Sequence, residues 1–88
     1  MDTTDYLKSI ITPIVTRPEE VTVDITHDDM GVLLTLGVHS ADMGLVIGKE
    51  GETAKCIRHL VRIIGLKNEE KVGVKIKEPA GSRYKYKN

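Results

Sequence analysis

Hydrophobic residues recur along this chain with two spacings, one typical of helices and one typical of strands. Near the beginning, apolar residues at i, i+3, i+4 and i+7 predict an amphipathic helix over about residues 4–15. Pro13 conflicts with this helix, because proline lacks an N–H donor and usually kinks or ends a helix. The stripe consists of Leu7, Ile10, Ile11 and Ile14.

The next two segments alternate between apolar and polar residues, which is the pattern of a half-buried strand. Strands are predicted over residues 20–27 and 32–39, with a hairpin loop over residues 27–31. Because this loop is short, the two strands should pair antiparallel. The first strand's Val21, Val23 and Ile25 are expected to oppose Leu34, Leu36 and Val38 of the second.

Two helices and a third strand complete the predicted order. A short helix over residues 43–47 can be capped by residues 40–42. A longer helix runs from residue 52 to residue 63 or 64, with Gly65 as its C-terminal stop. The strand follows at residues 72–77, where Val72, Val74 and Ile76 alternate with Gly73, Lys75 and Lys77. The order α-β-β-α-α-β predicts an α+β fold with three helices on one face of a three-stranded mixed sheet.

The composition indicates one small intracellular domain. Its 88 residues suffice for a modest core of Ile, Val and Leu, since three tyrosines are the only aromatic residues. The single cysteine, Cys56, excludes an internal disulfide and a cysteine-based zinc site, and it suits a reducing compartment. No segment has the pattern of a signal peptide or a membrane span. We therefore expect a cytoplasmic protein that does not enter the membrane.

Enzymatic chemistry and metal binding are not predicted. The three histidines lack metal-ligand spacing, and Asp28-Asp29 has no further ligands for calcium. A nucleophile–base–acid set and a Walker pattern are both missing from the sequence. The prediction is a protein without cofactor, metal or catalytic residues.

Charge divides the chain into two halves. Residues 1–44 carry a net charge of −6, and residues 45–88 carry a net charge of +6. Such asymmetry favours a second half that faces a polyanion. The alternative is a dipolar surface without a partner.

A glycine loop lies at the start of the long helix. Gly48-Lys49-Glu50-Gly51 places two glycines where backbone N–H groups of a helix N-terminus can approach a phosphate. Lys55, Arg58 and Arg62 fall together on one side of the helix, away from its core stripe. Residues 45–47 would supply apolar surface for a groove that binds a single strand with modest affinity. The alternative is a tight turn beside a solvated basic face.

The long helix also has more apolar surface than one core stripe needs. Cys56, Leu60 and Ile63 widen its apolar arc to about half of the circumference. Two interpretations fit this excess. The three side chains pack against the first helix, or they form a dimer interface.

The glycine loop belongs to a longer motif. The KH-domain core V-I-G-x-x-G-x-x-[IA]-x-x-I resembles Val46-Ile47-Gly48-Lys49-Glu50-Gly51 followed by Ala54 and Ile57. The element order is similar to the type II KH arrangement. Two further stretches resemble KhpA, a family of small bacterial stand-alone KH proteins: Thr12-Pro13-Ile14-Val15 with Pro18-Glu19-Glu20-Val21-Thr22-Val23, and Asp42-Met43-Gly44-Leu45-Val46-Ile47-Gly48-Lys49. The likeness covers roughly residues 5–77.

The resemblance implies a single KH domain over residues 1–78 that binds about four nucleotides of single-stranded RNA without catalysis. The implied partners are a second copy, in a homodimer, and KhpB, a larger RNA-binding protein also called Jag or EloR. The implied role is that of an RNA chaperone or post-transcriptional regulator linked to cell elongation and division. Together with the basic side of the long helix, the loop gives the predicted RNA contacts: Ile47, Gly48, Lys49, Glu50, Gly51, Lys55, Arg58 and Arg62.

Three residues depart from the family pattern. Glu50 and Glu52 place carboxylates beside the phosphate site, and Thr53 stands where an apolar residue is common. The carboxylates stabilise the helix start through its dipole, but they should weaken phosphate binding. This keeps open the alternative of a dimerisation module with vestigial RNA binding. For the basic tail over residues 79–88, RNA contact and disorder both remain open.

Overall fold

The computed structural model describes residues 2–77, which form three helices packed on one face of a three-stranded sheet. The elements are α1 (Thr3–Ile11), β1 (Thr22–Asp28), β2 (Gly31–Gly37), α2 (Met43–Ile47), α3 (Glu52–Lys67) and β3 (Val72–Ile76). The predicted α-β-β-α-α-β order and the α+β class are confirmed. The predicted tail over residues 79–88 lies outside the described residues.

The sheet is mixed, as predicted. Its strand order is β1-β2-β3, with β1 antiparallel and β3 parallel to β2. The predicted register of the hairpin is confirmed, because Val23 pairs with Leu36 and Ile25 pairs with Leu34. Ile25 is nevertheless 46% exposed. As an edge strand, β1 is less covered by the helices than the central strand β2.

The first helix is shorter than predicted. Asp2 caps its start by accepting a hydrogen bond from the Asp5 N–H at 3.0 Å. The helix ends at Ile11 rather than at residue 15, because Pro13 cannot donate the next helical hydrogen bond. Val15 still reaches the core, where it is 8% exposed.

The third helix is longer than predicted. Gly65 does not stop it, and the helix continues to Lys67. A Cβ added at Gly65 would lie 2.6 Å from Val72 Cγ2 and 3.1 Å from the Glu70 carbonyl oxygen. The glycine therefore lets the beginning of β3 pack closely against the helix.

The core lies between the helices and the sheet. α1 contributes Leu7 and Ile11, β2 contributes Leu34 and Leu36, and α3 contributes Val61, all at most 1% exposed. Burying each such side chain stabilises the fold by roughly 1.5–3 kcal/mol. This packing fixes α2 and α3 on the sheet, and the glycine loop between them is held at both ends.

Candidate functional site

The glycine loop turns the chain from α2 into α3 through three residues with positive φ. Gly48 has φ +75° and ψ 178°, and Gly51 has φ +76° and ψ 12°. Glu50 adopts φ +56°, a left-handed conformation that costs about 1–2 kcal/mol for a residue with a Cβ. The loop is closed by a hydrogen bond from the Gly51 N–H to the Gly48 carbonyl at 3.2 Å.

Gly48 is required by its backbone conformation and by its neighbour. Its φ and ψ fall in a region that is essentially restricted to glycine. A Cβ at this position would collide with the Thr53 Oγ1 atom and would lie 2.9 Å from the Thr53 backbone nitrogen. The tight packing of Thr53 against Gly48 sets the distance between the loop and the first turn of α3.

The residues between the two glycines are presented to solvent. Lys49 and Glu50 are exposed, whereas Gly51 is buried beneath them. No side chain of the described residues caps the start of α3, where the positive end of the helix dipole lies. Glu52, in the first turn, is also exposed. One cation and two carboxylates therefore surround this helix end.

Asp42 connects the start of α2 to the segment that follows α1. It was predicted as a helix cap, but its side chain makes no cap hydrogen bond. Its carboxylate instead accepts hydrogen bonds from the Thr16 hydroxyl at 2.7 Å, the Thr16 N–H at 3.0 Å and the Arg17 N–H at 3.1 Å. Since α2 has only five residues, this link anchors one end of the element whose other end is Gly48.

Two opposing effects act on the pKa of Asp42. Burial raises the pKa, since it disfavours the charged form of a carboxyl group that is 1% exposed. The hydrogen bonds from Thr16 and Arg17, together with the Arg17 charge, lower it and outweigh burial. The net result is a pKa below the ordinary aspartate value, so Asp42 is ionised at neutral pH.

The basic residues of α3 flank its core stripe. Lys55 and Arg62 are exposed, and Arg58 is half-buried. Arg58 and Arg62 line a cleft of about 540 Å³ that reaches the beginning of β3 on its other side. The structure thus brings two predicted contact residues into one concave surface, while Lys49 and Lys55 lie nearer the start of the helix.

The predicted apolar groove surface over residues 45–47 needs correction. Val46 and Ile47 are 0% and 2% exposed, so their side chains belong to the core. Only Leu45, at 46% exposed, presents apolar surface. Ile47, proposed as an RNA contact, therefore holds α2 in place from within the core, because its side chain points into the packed interior.

The structure also bears on the two interpretations of the apolar flank of α3, which is formed by Cys56, Leu60 and Ile63. Cys56 is exposed, and Leu60 and Ile63 are 47% and 50% exposed. Packing of these residues against α1 is therefore wrong. This flank is a solvent-facing apolar surface.

Sequence reasoning missed several residues that shape the site. The sequence pattern predicts only a capping role for Asp42, and it marks Thr53 only as a departure from the KH pattern. Residues of β3, together with Leu66, line the cleft. The connection between α3 and β3 is short, which places the start of β3 beside the end of α3, and that signal was available in the sequence. The hydrogen bonds of Asp42 join residues about 25 positions apart, a pairing that the sequence gives no sign of.

Residues 2–77 contain neither a metal-ligand cluster nor a helix that could span a membrane. No group of three or more histidine, cysteine, aspartate or glutamate side chains in this part of the chain could hold a metal ion. His39 accepts a hydrogen bond at Nδ1 from the Ala41 N–H at 3.0 Å. None of the helices in the described range is long and apolar enough to cross a membrane.

Comparison with known proteins places this geometry in a family. A family model described as the KH domain of KhpA/KhpB matches residues 4–76. A protein of Listeria monocytogenes serovar 1/2a (strain EGD-e), named RNA-binding protein KhpA, is 40% identical over 74 residues, which cover 84% of this chain and 97% of the relative.

Two further relatives carry the same name, RNA-binding protein KhpA. The Bacillus subtilis (strain 168) protein is 40% identical over 72 residues, covering 82% of this chain and 89% of its own. The Chlamydia caviae protein is 39% identical over 74 residues, covering 84% and 95%. KH domains of this kind are not an enzyme family. The match spans nearly all of the described residues, and the chain belongs to the KhpA/KhpB family of KH domains.

Proposed function

We propose that this protein binds single-stranded RNA, with the sugar–phosphate backbone held at the Gly48–Gly51 loop. The observation that carries the proposal is the loop itself, in which Gly48 packs on Thr53 and leaves Lys49 exposed at the positive end of α3. Relatives about 40% identical over most of the chain are named RNA-binding proteins, which supports RNA binding by this protein. Lys55, Arg58 and Arg62 extend positive charge along the helix.

The biological role we propose is that of a cytoplasmic RNA chaperone or post-transcriptional regulator linked to cell elongation and division. It acts as a homodimer or together with a KhpB-like protein. This role rests on the family resemblance, while the RNA contact rests on the loop and the basic flank. Glu50 and Glu52 limit the affinity for phosphate, so binding by one copy is weak and a second RNA-binding subunit strengthens it.

A salt titration of binding to short single-stranded RNA tests the RNA contact. Three or four phosphate contacts predict a slope of about −2 to −3 in a plot of log affinity against log salt. The double variant Lys49→Asp/Glu50→Asp places a carboxylate where the phosphate lies, and we expect it to abolish measurable binding. Fluorescence anisotropy with a labelled oligonucleotide follows both effects.

The matched control is Lys8→Asp, which changes the net charge by the same amount on α1. This variant should bind RNA like the wild type, because Lys8 is an exposed residue of another helix. Undetectable binding of the wild type at low salt would contradict the proposal. Equal losses of RNA affinity in the control and in the loop variant would mean that overall charge, rather than a contact at the loop, determines binding.

A second candidate function is a protein-interaction module, and the exposed flank formed by Cys56, Leu60 and Ile63 favours it. Apolar side chains grouped on one helix face are typical of interfaces. We propose that this flank is the dimer interface. A Leu60→Glu variant should sediment as a monomer and keep the helical circular dichroism of the wild type.

Leu66→Glu is the control for the interface test. Leu66 is 61% exposed on the same helix but lines the cleft on its other flank. This variant should keep the wild-type sedimentation coefficient. A wild type that sediments as a monomer at high concentration would rule out self-association through this flank. RNA binding by the Leu60→Glu monomer would separate the two functions.

A further inference from the structure

The helix that precedes the glycine loop is too short to hold its own position. α2 spans Met43–Ile47, whereas isolated helices shorter than about 12–15 residues are marginal in water. Its buried side chains, Met43, Val46 and Ile47, hold it against the core. Because apolar packing is not directional, it resists removal of the helix from the core more than a shift of the helix along its own axis. A directional contact is therefore what sets the position of Gly48.

Asp42, the residue immediately before α2, makes such a contact. Its Oδ1 atom accepts hydrogen bonds from the hydroxyl and the N–H of Thr16 at 2.7 and 3.0 Å, and its Oδ2 atom accepts one from the Arg17 N–H at 3.1 Å. The residue is 1% exposed, so water does not compete for these bonds. Hydrogen bonds to an ionised group are also stronger than those between neutral groups. Both carboxylate oxygens thus fix the start of α2 to the segment that follows α1.

The contact and the glycine loop lie at opposite ends of α2. From Asp42 to Gly48 the chain advances about 9 Å at 1.5 Å per residue. The Gly48 N–H donates to the Gly44 carbonyl at 2.9 Å, so helical hydrogen bonding continues to the first residue of the loop. A shift at the start of α2 is therefore transmitted to the loop. Binding sites tolerate displacements of only about 0.5 Å, which makes the support of a site part of its function.

We propose that Asp42 is a positioning residue for RNA binding, because its hydrogen bonds to Thr16 and Arg17 hold the α2 end of the Gly48–Gly51 loop where the loop contacts a phosphate. Asp42 is buried and does not itself touch RNA. The proposal rests on the proposed RNA-binding function. It adds to the determinants of that function two residues that lie 26 and 25 positions before Asp42 in the chain.

Charge and position predict opposite effects of Asp42→Asn. The variant removes a negative charge from a protein that binds a polyanion, so charge alone would raise RNA affinity. The amide, however, presents an NH₂ donor in place of one acceptor oxygen, and the hydrogen bonds to that oxygen are lost. We expect the affinity for a four-nucleotide oligouridylate to fall roughly fivefold, an effect of the size found for residues that act on a site from a distance.

Fluorescence anisotropy at low salt measures this affinity, at a temperature at which circular dichroism shows each variant to be fully folded. Under that condition a loss of stability alone leaves the affinity unchanged. The amide resonances of Gly48 and Gly51 in the RNA-free protein give a second measurement. Asp42→Asn should shift both resonances in NMR spectra, because the loop moves before any RNA is bound.

Two variants of Thr16 test the same contact without changing the charge or the carboxylate. Thr16→Val removes the hydroxyl donor, and we expect it to lower the affinity roughly twofold and to shift the two glycine resonances. Thr16→Ser restores the donor and should restore the wild-type affinity and resonances. Equal affinities of Thr16→Val and Thr16→Ser would overturn the proposal even if Asp42→Asn did not fold.

Asp24→Asn is the matched control for charge. Asp24 is an exposed residue of β1, and its replacement removes the same charge. This variant should bind RNA at least as tightly as the wild type. An affinity of Asp42→Asn equal to or above that of the wild type, or equal losses in the two asparagine variants, would overturn the positioning proposal. Failure of the wild type to bind at low salt would instead contradict RNA binding at the loop.

Discussion

Each end of α3 is flanked by a glutamate with positive φ, but the two helix ends are closed differently. Glu50 lies two residues before the helix with φ +56°, and Glu69 lies two residues after it with φ +58°. Left-handed glutamates are unfavourable at both ends. At the C-terminal end the conformation closes the helix, because the Glu70 N–H donates to the Gly65 carbonyl at 2.8 Å and the Glu69 N–H donates to the Leu66 carbonyl at 3.0 Å.

The N-terminal end has no comparable closure. Gly51 occupies the cap position without a side-chain hydrogen bond from any described residue. The strained residue there, Glu50, is exposed, as Glu69 is at the other end. The C-terminal end satisfies its carbonyl groups in a Schellman arrangement. The two ends therefore differ in capping: backbone hydrogen bonds close the C-terminal end, and the cap residue of the N-terminal end makes no side-chain hydrogen bond.

The largest expected effect comes from Gly48→Ala. The new Cβ would collide with Thr53, and alanine would be forced into a glycine-restricted conformation. We expect the free energy of unfolding in urea to fall by about 2–3 kcal/mol. If RNA binds at the loop, affinity should fall as well, because the loop can no longer pack on the start of α3.

Gly44→Ala is the control for this change. Gly44 lies within α2, and a Cβ added there would meet nothing within 4 Å. This variant should gain about 0.5–1 kcal/mol, since alanine is the better helix residue. Equal destabilisation by both variants would mean that stability is sensitive to any added side chain in or next to α2, and not specifically to the contact between Gly48 and Thr53.

Much of this architecture was predictable because it depends on local patterns. The apolar alternation of β1 and β2 predicted the pairing of Val23 with Leu36, and the motif around Gly48 predicted the loop. The end of α3 was not predictable from Gly65, since a glycine stops a helix in one context and permits close packing in another. Only the contact with Val72 distinguishes the two.

The candidate site was predictable in part. The glycine loop and the basic flank are contiguous in sequence, so their spacing was enough to find them. The burial of Ile47 was not foreseen, because every residue of the short α2 is apolar or glycine and the pattern does not say which face is covered. The role of Asp42 depends on Thr16 and Arg17, which only the tertiary fold brings beside it.

Asp42→Asn should destabilise the region around the N-terminal end of α3, although Asp42 itself lies outside that helix. Because the pKa of Asp42 is lowered in the folded state, its contribution to stability is present above the unfolded value of about 3.9 and is lost as the pH falls through the lower folded value. We expect the variant to be less stable at pH 7 and to lack this share of the acid-dependent loss. Urea unfolding between pH 7 and pH 2 measures both effects.

Thr16→Val provides the comparison for Asp42→Asn. It removes the hydroxyl donor but keeps the carboxylate and the two backbone hydrogen bonds. Its loss of stability should be smaller, and the acid-dependent loss should begin at a higher pH because the pKa of Asp42 rises. Parallel stability curves for Asp42→Asn and the wild type across the acid range would show that this carboxylate does not contribute.

The smallest expected effects come from the two left-handed glutamates, and they separate the two helix ends most sharply. Glu69→Gly and Glu50→Gly should each raise the free energy of unfolding by about 0.5–1 kcal/mol, since glycine relieves the backbone strain. Only Glu50→Gly should also raise RNA affinity, by roughly threefold at low salt, because it removes a carboxylate beside the phosphate. Anisotropy titrations measure this difference.

Glu50→Gln distinguishes charge from strain in that result. It removes the carboxylate but keeps a side chain with a Cβ in the left-handed conformation, so its stability should match the wild type while its RNA affinity matches Glu50→Gly. An affinity gain in Glu50→Gly alone would assign the effect to loop flexibility. Equal gains in Glu50→Gly and Glu69→Gly would show that RNA responds to overall charge, and the two ends of α3 would then not differ in function.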